Sequence, residues 1–150
     1  MRVLGIDLGE RRVGLAISDV SRTLARPLAT VDVSGPDDAV ERVVAAIDRL
    51  AREDDGLDAI VVGLPRRLDG STTEATDRTT AFVGALRGRT PIPVTTADER
   101  LTSREAESRL ALGERDWRRR KKKLDAAAAA VILQDYLDRL GNATDFTAED

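Results

Sequence analysis

Three short apolar segments at the start of the chain follow one another too closely for helices to fit between them. Residues 2–8 (RVLGIDL), 12–18 (RVGLAIS) and 24–33 (LARPLATVDV) each have the pattern of a β-strand. Parallel strands need a crossover connection of about a dozen residues, whereas the joining segments here are only 9–11 and 19–23. The chain is therefore predicted to begin with an antiparallel meander.

The rest of the chain alternates between helix and strand patterns. The apolar run 58–64 is typical of a strand covered on both faces, and 92–97 has the pattern of a further strand. Helical spacing predicts helices from Pro36 to a stop at Gly56, and over 71–87, 102–113 and 124–140. A capping box formed by Ser71 and Glu74 is expected to open the second helix, and Gly141 is expected to end the last.

This order predicts an α/β fold with a mixed five-stranded sheet and helices on both faces. A chain of 150 residues supports one domain with one substantial core. We place that domain at residues 1–141 and expect the acidic segment 142–150 to be a mobile tail.

Composition narrows the chemistry and the location. The chain contains no histidine and no cysteine, so catalysis would depend on carboxylates, hydroxyls, Arg or Lys. No apolar run approaches the roughly 18 residues of a membrane helix, and the N-terminus lacks the pattern of a signal peptide. We expect a cytoplasmic protein with no membrane partner.

Two acidic sites stand out at strand ends. Asp7 lies near the end of the first strand, where initiating a turn is the simplest alternative to a functional role. Asp98 and Glu99 follow the strand 92–97, at the carboxyl edge where sites of α/β sheets gather. An ordinary loop ion pair with Arg100 is the alternative there, and the pattern does not choose between the two acids.

A third acid, Asp125, lies in the first turn of the predicted last helix. The helix dipole alone would favour an acid at that position. Its face of the helix, however, also carries Ala128 and Ile132, so its carboxylate projects from a core-facing stripe. Converging carboxylates without a histidine would be best neutralised by hard divalent cations, which predicts a Mg²⁺ or Mn²⁺ site.

Clustered cations suggest a nucleic-acid partner. An almost unbroken basic run precedes Asp125 and would hold a phosphate backbone, unless it is merely a solvated loop; it comprises Arg115, Arg118, Arg119, Arg120, Lys121, Lys122 and Lys123. Trp117 within it would either stack on a base or anchor the loop. Arg66 and Arg67, before the amides of residues 70–73, form a second candidate phosphate site or an ordinary capped loop.

Four motifs give the chain a family resemblance. It resembles the YqgF/RuvX proteins, relatives of the RuvC Holliday-junction resolvases in the ribonuclease H-like superfamily. The motifs occur in the family's order and are GIDLGERRVGLAISD (5–19), VVGLPRRLDGS (61–71), DERLTSREAE (98–107) and KKLDAAAAAVILQDYL (122–137).

The resemblance implies a ribonuclease H-like fold and a catalytic, metal-binding trio at Asp7, Glu99 and Asp125. It implies a nuclease that uses two Mg²⁺ or Mn²⁺ ions and acts on structured RNA, at the 5′ end of the small-subunit ribosomal RNA precursor, or on branched DNA. Arg66, Arg67, Arg100 and the basic run would bind that nucleic acid.

Two other functions fit parts of the sequence. A nucleic-acid-binding or ribosome-assembly factor would keep the fold without cleavage. An actin-like or sugar-kinase-like phosphotransferase also begins with a GIDLG-type loop, but it needs a second lobe that 150 residues do not supply. The oligomeric state stays open, because cutting two symmetric strands requires a dimer whereas trimming RNA does not.

Overall fold

The structure is a computed structural model that describes residues 1–67, 69–98 and 117–148, with the side chains of residues 117–124 and 142–148 left aside. Its elements, in chain order, are β1 (Arg2–Leu8), β2 (Arg12–Ser18), β3 (Ala25–Asp32), α1 (Pro36–Arg52), β4 (Leu57–Leu64), α2 (Glu74–Arg87), β5 (Val94–Asp98) and α3 (Trp117–Ala148).

The strands form one mixed sheet of the predicted class. Its order is β3-β2-β1-β4-β5, so the opening meander occupies one side of the sheet and the later strands the other. β1, β2 and β3 pair antiparallel, whereas β4 and β5 run parallel to β1. The prediction of a five-stranded mixed sheet is confirmed.

Strand alternation in β1 divides the protein into two cores, one on each face of the sheet. Leu4 and Ile6 point to the face covered by α1 and α2, whereas Val3 points to the face covered by α3. Both cores are fully buried at the centre of the sheet, with Ile6 and Leu133 completely inaccessible to solvent. Helices therefore cover both faces, as the alternating order of elements predicts.

Two glycines on the α3 face let this helix approach the sheet closely. A Cβ atom added to Gly5 would lie 2.7 Å from the Cβ of Leu133 and 3.1 Å from the carbonyl oxygen of Ala129. At Gly14 the added atom would lie only 2.0 Å from the carbonyl oxygen of Asp125. Because neither position tolerates a side chain, the two glycines fix how close α3 lies to the sheet and where Asp125 is placed.

The start of α2 corrects the predicted capping box. The N-cap is Thr73 rather than Ser71, and its hydroxyl accepts a hydrogen bond from the amide of Thr76. The hydroxyl of Thr76 in turn accepts a bond from the amide of Thr73 and donates to the carbonyl of Pro65. Thr73 and Thr76 therefore form the capping box in place of the predicted Ser71 and Glu74. The bond from Thr76 to Pro65 also connects the start of α2 to the end of β4.

The last helix is longer at both ends than predicted. It begins at Trp117 and continues through Gly141 to Ala148, so the predicted limits of residues 124 and 140 are wrong. Arg and Lys are good helix formers, and one glycine costs only about 1 kcal/mol in a helix interior. Residues 118–123 of the basic run are thus helical rather than a loop, and Asp125 does not lie in the first turn.

One predicted element falls outside the described ranges, namely the helix over 102–113. Within those ranges, no helix combines the length and the apolar character that crossing a membrane requires.

Candidate active site

Asp7 lies near the carboxyl end of β1 and shares the sheet face of Val3, on which α3 packs. It is half-buried between β2 and β4, which both pair with β1. Burial, and then repulsion from Asp125, raise its pKa from 3.8 to about 6. This carboxylate is therefore an electrostatically unfavourable group held inside the fold, as buried functional acids often are.

The helix α3 brings Asp125 next to Asp7. Asp7 pairs in register with Gly14 on β2, and the backbone of Asp125 rests against Gly14. Paired residues of antiparallel strands point to the same face of the sheet, so Asp7 also points towards α3. Two carboxylates distant in the sequence thus come close together at the carboxyl end of the central strand β1.

The alternative explanations for these two acids do not describe the structure. The real turn aspartate is Asp19, which accepts hydrogen bonds from the amides of Thr23 and Leu24. Those bonds hold the pKa of Asp19 well below its usual range, whereas the pKa of Asp7 is raised. A dipole effect does not explain Asp125 either, because that effect fades beyond the first helical turn.

Asp98, the last residue of β5, lies on the other face of the sheet from Asp7 and Asp125. Asp98 pairs with Leu64 of β4, whereas its neighbour Ala97 packs in the core beneath α3. Successive strand residues point to opposite faces, so Asp98 points away from the face that carries Asp7. Glu99, the other acid predicted here, lies outside the described residues, as does Arg100.

The pair of Asp7 and Asp125 has the donor chemistry of a hard-cation site. Both side chains offer carboxylate oxygens, and their mutual repulsion is the kind that a divalent cation relieves. The described residues contain no group of three or more acidic side chains placed to hold a metal ion. The predicted third ligand, Glu99, lies outside the described residues.

The predicted phosphate site after β4 is only partly as expected. Arg66 and Arg67 are exposed there, beyond the strand end that adjoins Asp7. The amides of Gly70 and Ser71, however, donate to the carbonyl of Arg67 and to the carboxylate of Asp69. The loop thus uses these two amides internally, and phosphate binding by Arg66 and Arg67 stays a prediction.

Most of the basic run lies on α3, just before Asp125. Residues 118–123 precede Asp125 along the helix, so at 1.5 Å per residue their backbone lies within about 10 Å of it along the helix axis. Arg115 lies outside the described residues. The backbone of residues 118–123 thus lies beside the carboxyl end of β1, where Asp7 is found.

A separate cavity of about 530 Å³ opens on the opposite face of the sheet, between α1, α2 and the turn that joins β1 and β2. Its walls are largely apolar, with Leu8 and Phe82 among them, and it contains none of the predicted site residues. The acidic pair therefore lies outside this cavity, at the carboxyl end of the central strand β1.

Sequence reasoning missed Gly14, which shapes the site without supplying a carboxylate. Gly14 admits the helix backbone that carries Asp125. A glycine inside an apolar strand pattern is a known sign of close backbone approach, so the signal for Gly14 was present.

The sheet order, the helices on both faces and the acidic pair at the end of β1 define a ribonuclease H-like α/β protein. The structure superposes on RuvC of Thermus thermophilus, solved in complex with a Holliday junction substrate, with a TM-score of 0.55. The two chains are 21% identical, and the match covers 94% of this chain and 96% of that one.

The family itself is identified by sequence. A family model described as RuvX, Holliday junction resolvase, matches residues 1–139, and the chain belongs to this family. A relative from Pelotomaculum thermopropionicum is 42% identical over 142 residues, covering 94% of this chain and 89% of the relative. One from Chloroflexus aggregans is 43% identical over 141 residues, covering 93% and 95%. Both are named as candidate pre-16S rRNA nucleases.

Proposed function

We propose that this protein hydrolyses phosphodiester bonds of structured nucleic acid with the help of divalent metal ions. The observation that carries the proposal is the meeting of Asp7 and Asp125, from a strand and a helix, in a half-buried site where their charges repel. Such an arrangement is unfavourable for stability alone, and a bound cation would compensate it.

Three carboxylates would hold the ions. Two Mg²⁺ or Mn²⁺ ions would be held by Asp7, Glu99 and Asp125. Of the two neighbouring acids Asp98 and Glu99, Asp98 points away from Asp7, which supports Glu99 as the third metal ligand. When bound, such ions lower the pKa of the attacking water and stabilise the leaving oxygen.

The protein itself would position the substrate. The basic run 118–123 on α3, with Arg66 and Arg67 after β4, would bind phosphates on either side of the acidic pair. Contacts of this kind give an affinity that depends on salt and only weakly on sequence. Gly14 would keep Asp125 in place by fixing the height of α3 above the sheet.

The relatives favour a ribosomal RNA precursor as the substrate. The relatives at 42% and 43% identity carry the pre-16S rRNA name over nearly the whole chain. The family description and the RuvC complex support a four-way DNA junction as the second candidate. We therefore propose maturation of the 5′ end of the small-subunit ribosomal RNA as the main activity, in the cytoplasm.

Cleavage of three substrates side by side tests the activity. A 5′-labelled precursor RNA, a single-stranded RNA and a four-way DNA junction would each be incubated with Mg²⁺, with Mn²⁺ or with EDTA. We expect metal-dependent cleavage, strongest on the precursor. Binding without cleavage in every metal would instead identify a non-catalytic assembly factor and would refute the proposal.

Variants of the acids test the site. Asp7→Asn, Asp125→Asn and Glu99→Gln should each lower the cleavage rate by at least about a hundredfold, because each removes a negatively charged metal ligand. Asp98→Asn is the matched control, since it makes the same kind of change on the opposite face of the sheet. Full activity of Glu99→Gln, with loss in Asp98→Asn, would reverse the assignment.

A further inference from the structure

Arg12 is placed to contact the nucleic-acid backbone, although neither the motifs nor the family match assigns it a role. Alternation along β2 puts Arg12 on the face of Gly14, which is the face towards α3, because the intervening Val13 belongs to the core beneath α1 and α2. Gly14 is the register partner of Asp7. Arg12 is therefore a diagonal cross-strand neighbour of Asp7, at a distance of roughly 7–8 Å that a long side chain can span.

The helix α3 brings the backbone of the basic residues 118–123 to the same place. Asp125 rests on Gly14, and Ala129 and Leu133 rest on Gly5 further along the sheet. Because Gly5 pairs with Ala16, α3 runs in the same direction as β2. The helical turn that precedes Asp125, which includes part of the basic run, consequently lies towards Arg12.

The guanidinium group of Arg12 is incompletely paired. Its Nε atom lies 3.6 Å from Oδ1 of Asp32, which is long for a hydrogen bond. Its Nη1 atom is buried and has no hydrogen-bond partner among the described residues. A quarter of the side chain is nevertheless exposed to solvent. Because the charge of Arg12 is only weakly paired with Asp32, a phosphate oxygen would find a partner in the exposed part of this side chain.

We propose that Arg12 binds a phosphate of the substrate backbone next to the bond that is cleaved, and so positions the strand over Asp7 and Asp125. This inference rests on the proposed function. Arg12 would hold the phosphate through charge and hydrogen bonds and would take no part in proton transfer.

Variants of Arg12 in the full chain test this. Binding of a labelled precursor RNA and a labelled four-way DNA junction would be measured in EDTA across a range of salt concentrations. We expect Arg12→Gln to raise Kd about tenfold, as expected for one lost charged hydrogen bond. On duplex arms, the slope of log Kd against log salt should fall by about 0.9, the value for one phosphate contact. Arg12→Lys should keep the slope. In cleavage assays KM should rise in Arg12→Gln while kcat changes little.

Two further variants separate phosphate binding from a structural role. Arg26→Gln makes the same change at an exposed arginine on β3, which pairs with Ile17 near the opposite end of β2 from Arg12. It should leave Kd and the slope unchanged. Asp32→Asn removes the carboxylate beside Arg12. If Arg12 only supported the fold through Asp32, Asp32→Asn would impair binding as much as Arg12→Gln does. We expect it instead to bind equally well or more tightly.

The outcomes distinguish this inference from the proposed function. If the wild type binds and cleaves but Arg12→Gln keeps its Kd, salt slope and KM, Arg12 is not at the interface and the inference is wrong. If the wild type neither binds nor cleaves any of these substrates, the proposed function fails and the inference fails with it. Thermal unfolding of each variant would confirm that binding is compared between folded proteins.

Discussion

Ionised Asp7 should weaken the fold when no cation is present, and replacing it with asparagine measures by how much. Burial and the nearby Asp125 raise its pKa from 3.8 to about 6. At 1.36 kcal/mol per pKa unit, the ionised side chain destabilises the folded state by about 3 kcal/mol at pH well above 6. Asp7→Asn should recover most of this, which for a chain of this size raises the melting temperature by roughly 6–12 °C.

The effect must depend on pH with a definite sign. The folded protein keeps the Asp7 proton up to about pH 6, whereas the unfolded chain releases it near 3.8. Between these values the folded state binds more protons, so the stability of the wild type falls as pH rises. The advantage of Asp7→Asn should therefore be small near pH 4 and reach its full size above pH 6.

Urea unfolding in EDTA at a series of pH values would measure this advantage. Asp19→Asn is the control with the opposite sign, because the hydrogen bonds to Asp19 favour its charged form and their weakening should lower stability. Adding Mg²⁺ should stabilise the wild type more than Asp7→Asn. An Asp7→Asn protein no more stable than the wild type at pH 8, or a gain that is equal at every pH, would refute this reasoning.

Further variants test the packing and the basic part of α3. Gly14→Ala should destabilise the protein by about 3 kcal/mol or more and impair cleavage, because the new Cβ would overlap the backbone of Asp125. Urea unfolding measures the stability and a cleavage assay the rate. Wild-type values of both would show that α3 does not pack against Gly14. Arg2→Met should cost about 2–3 kcal/mol in urea unfolding, because buried Arg2 donates to the carbonyls of Leu50 and Gly56, while Arg26→Met should cost little. Glutamine at 118–123 should weaken binding to all sequences and flatten its salt dependence; an unchanged slope would place the run away from the nucleic acid.

The alternation of side chains between the two faces of a strand agrees well with the structure. Period-two alternation along residues 2–8 puts Leu4 and Ile6 on one face and Val3 on the other, and the structure has them so. Weak local signals failed. Gly141 did not end α3, since one glycine costs little when no proline or turn follows it.

The acid after β5 shows the limit of pattern reading. The sequence alone left Asp98 and Glu99 equivalent, because a shift of one residue at a strand end reverses which face each side chain occupies. Only the pairing of Asp98 with Leu64, set by the register of β5 on β4, shows that Asp98 points away from Asp7.

The meander and the alternation of later strands and helices could be read from the amino-acid sequence. So could the absence of histidine and cysteine, which leaves carboxylates, hydroxyls, Arg and Lys for any chemistry. Tertiary structure decided which carboxylates meet. Asp7 and Asp125 are joined by the contact of α3 with Gly14, a steric fact between residues far apart in the chain. Local periodicity carries no information about such a contact, because the height and direction of a helix over a sheet are set by packing.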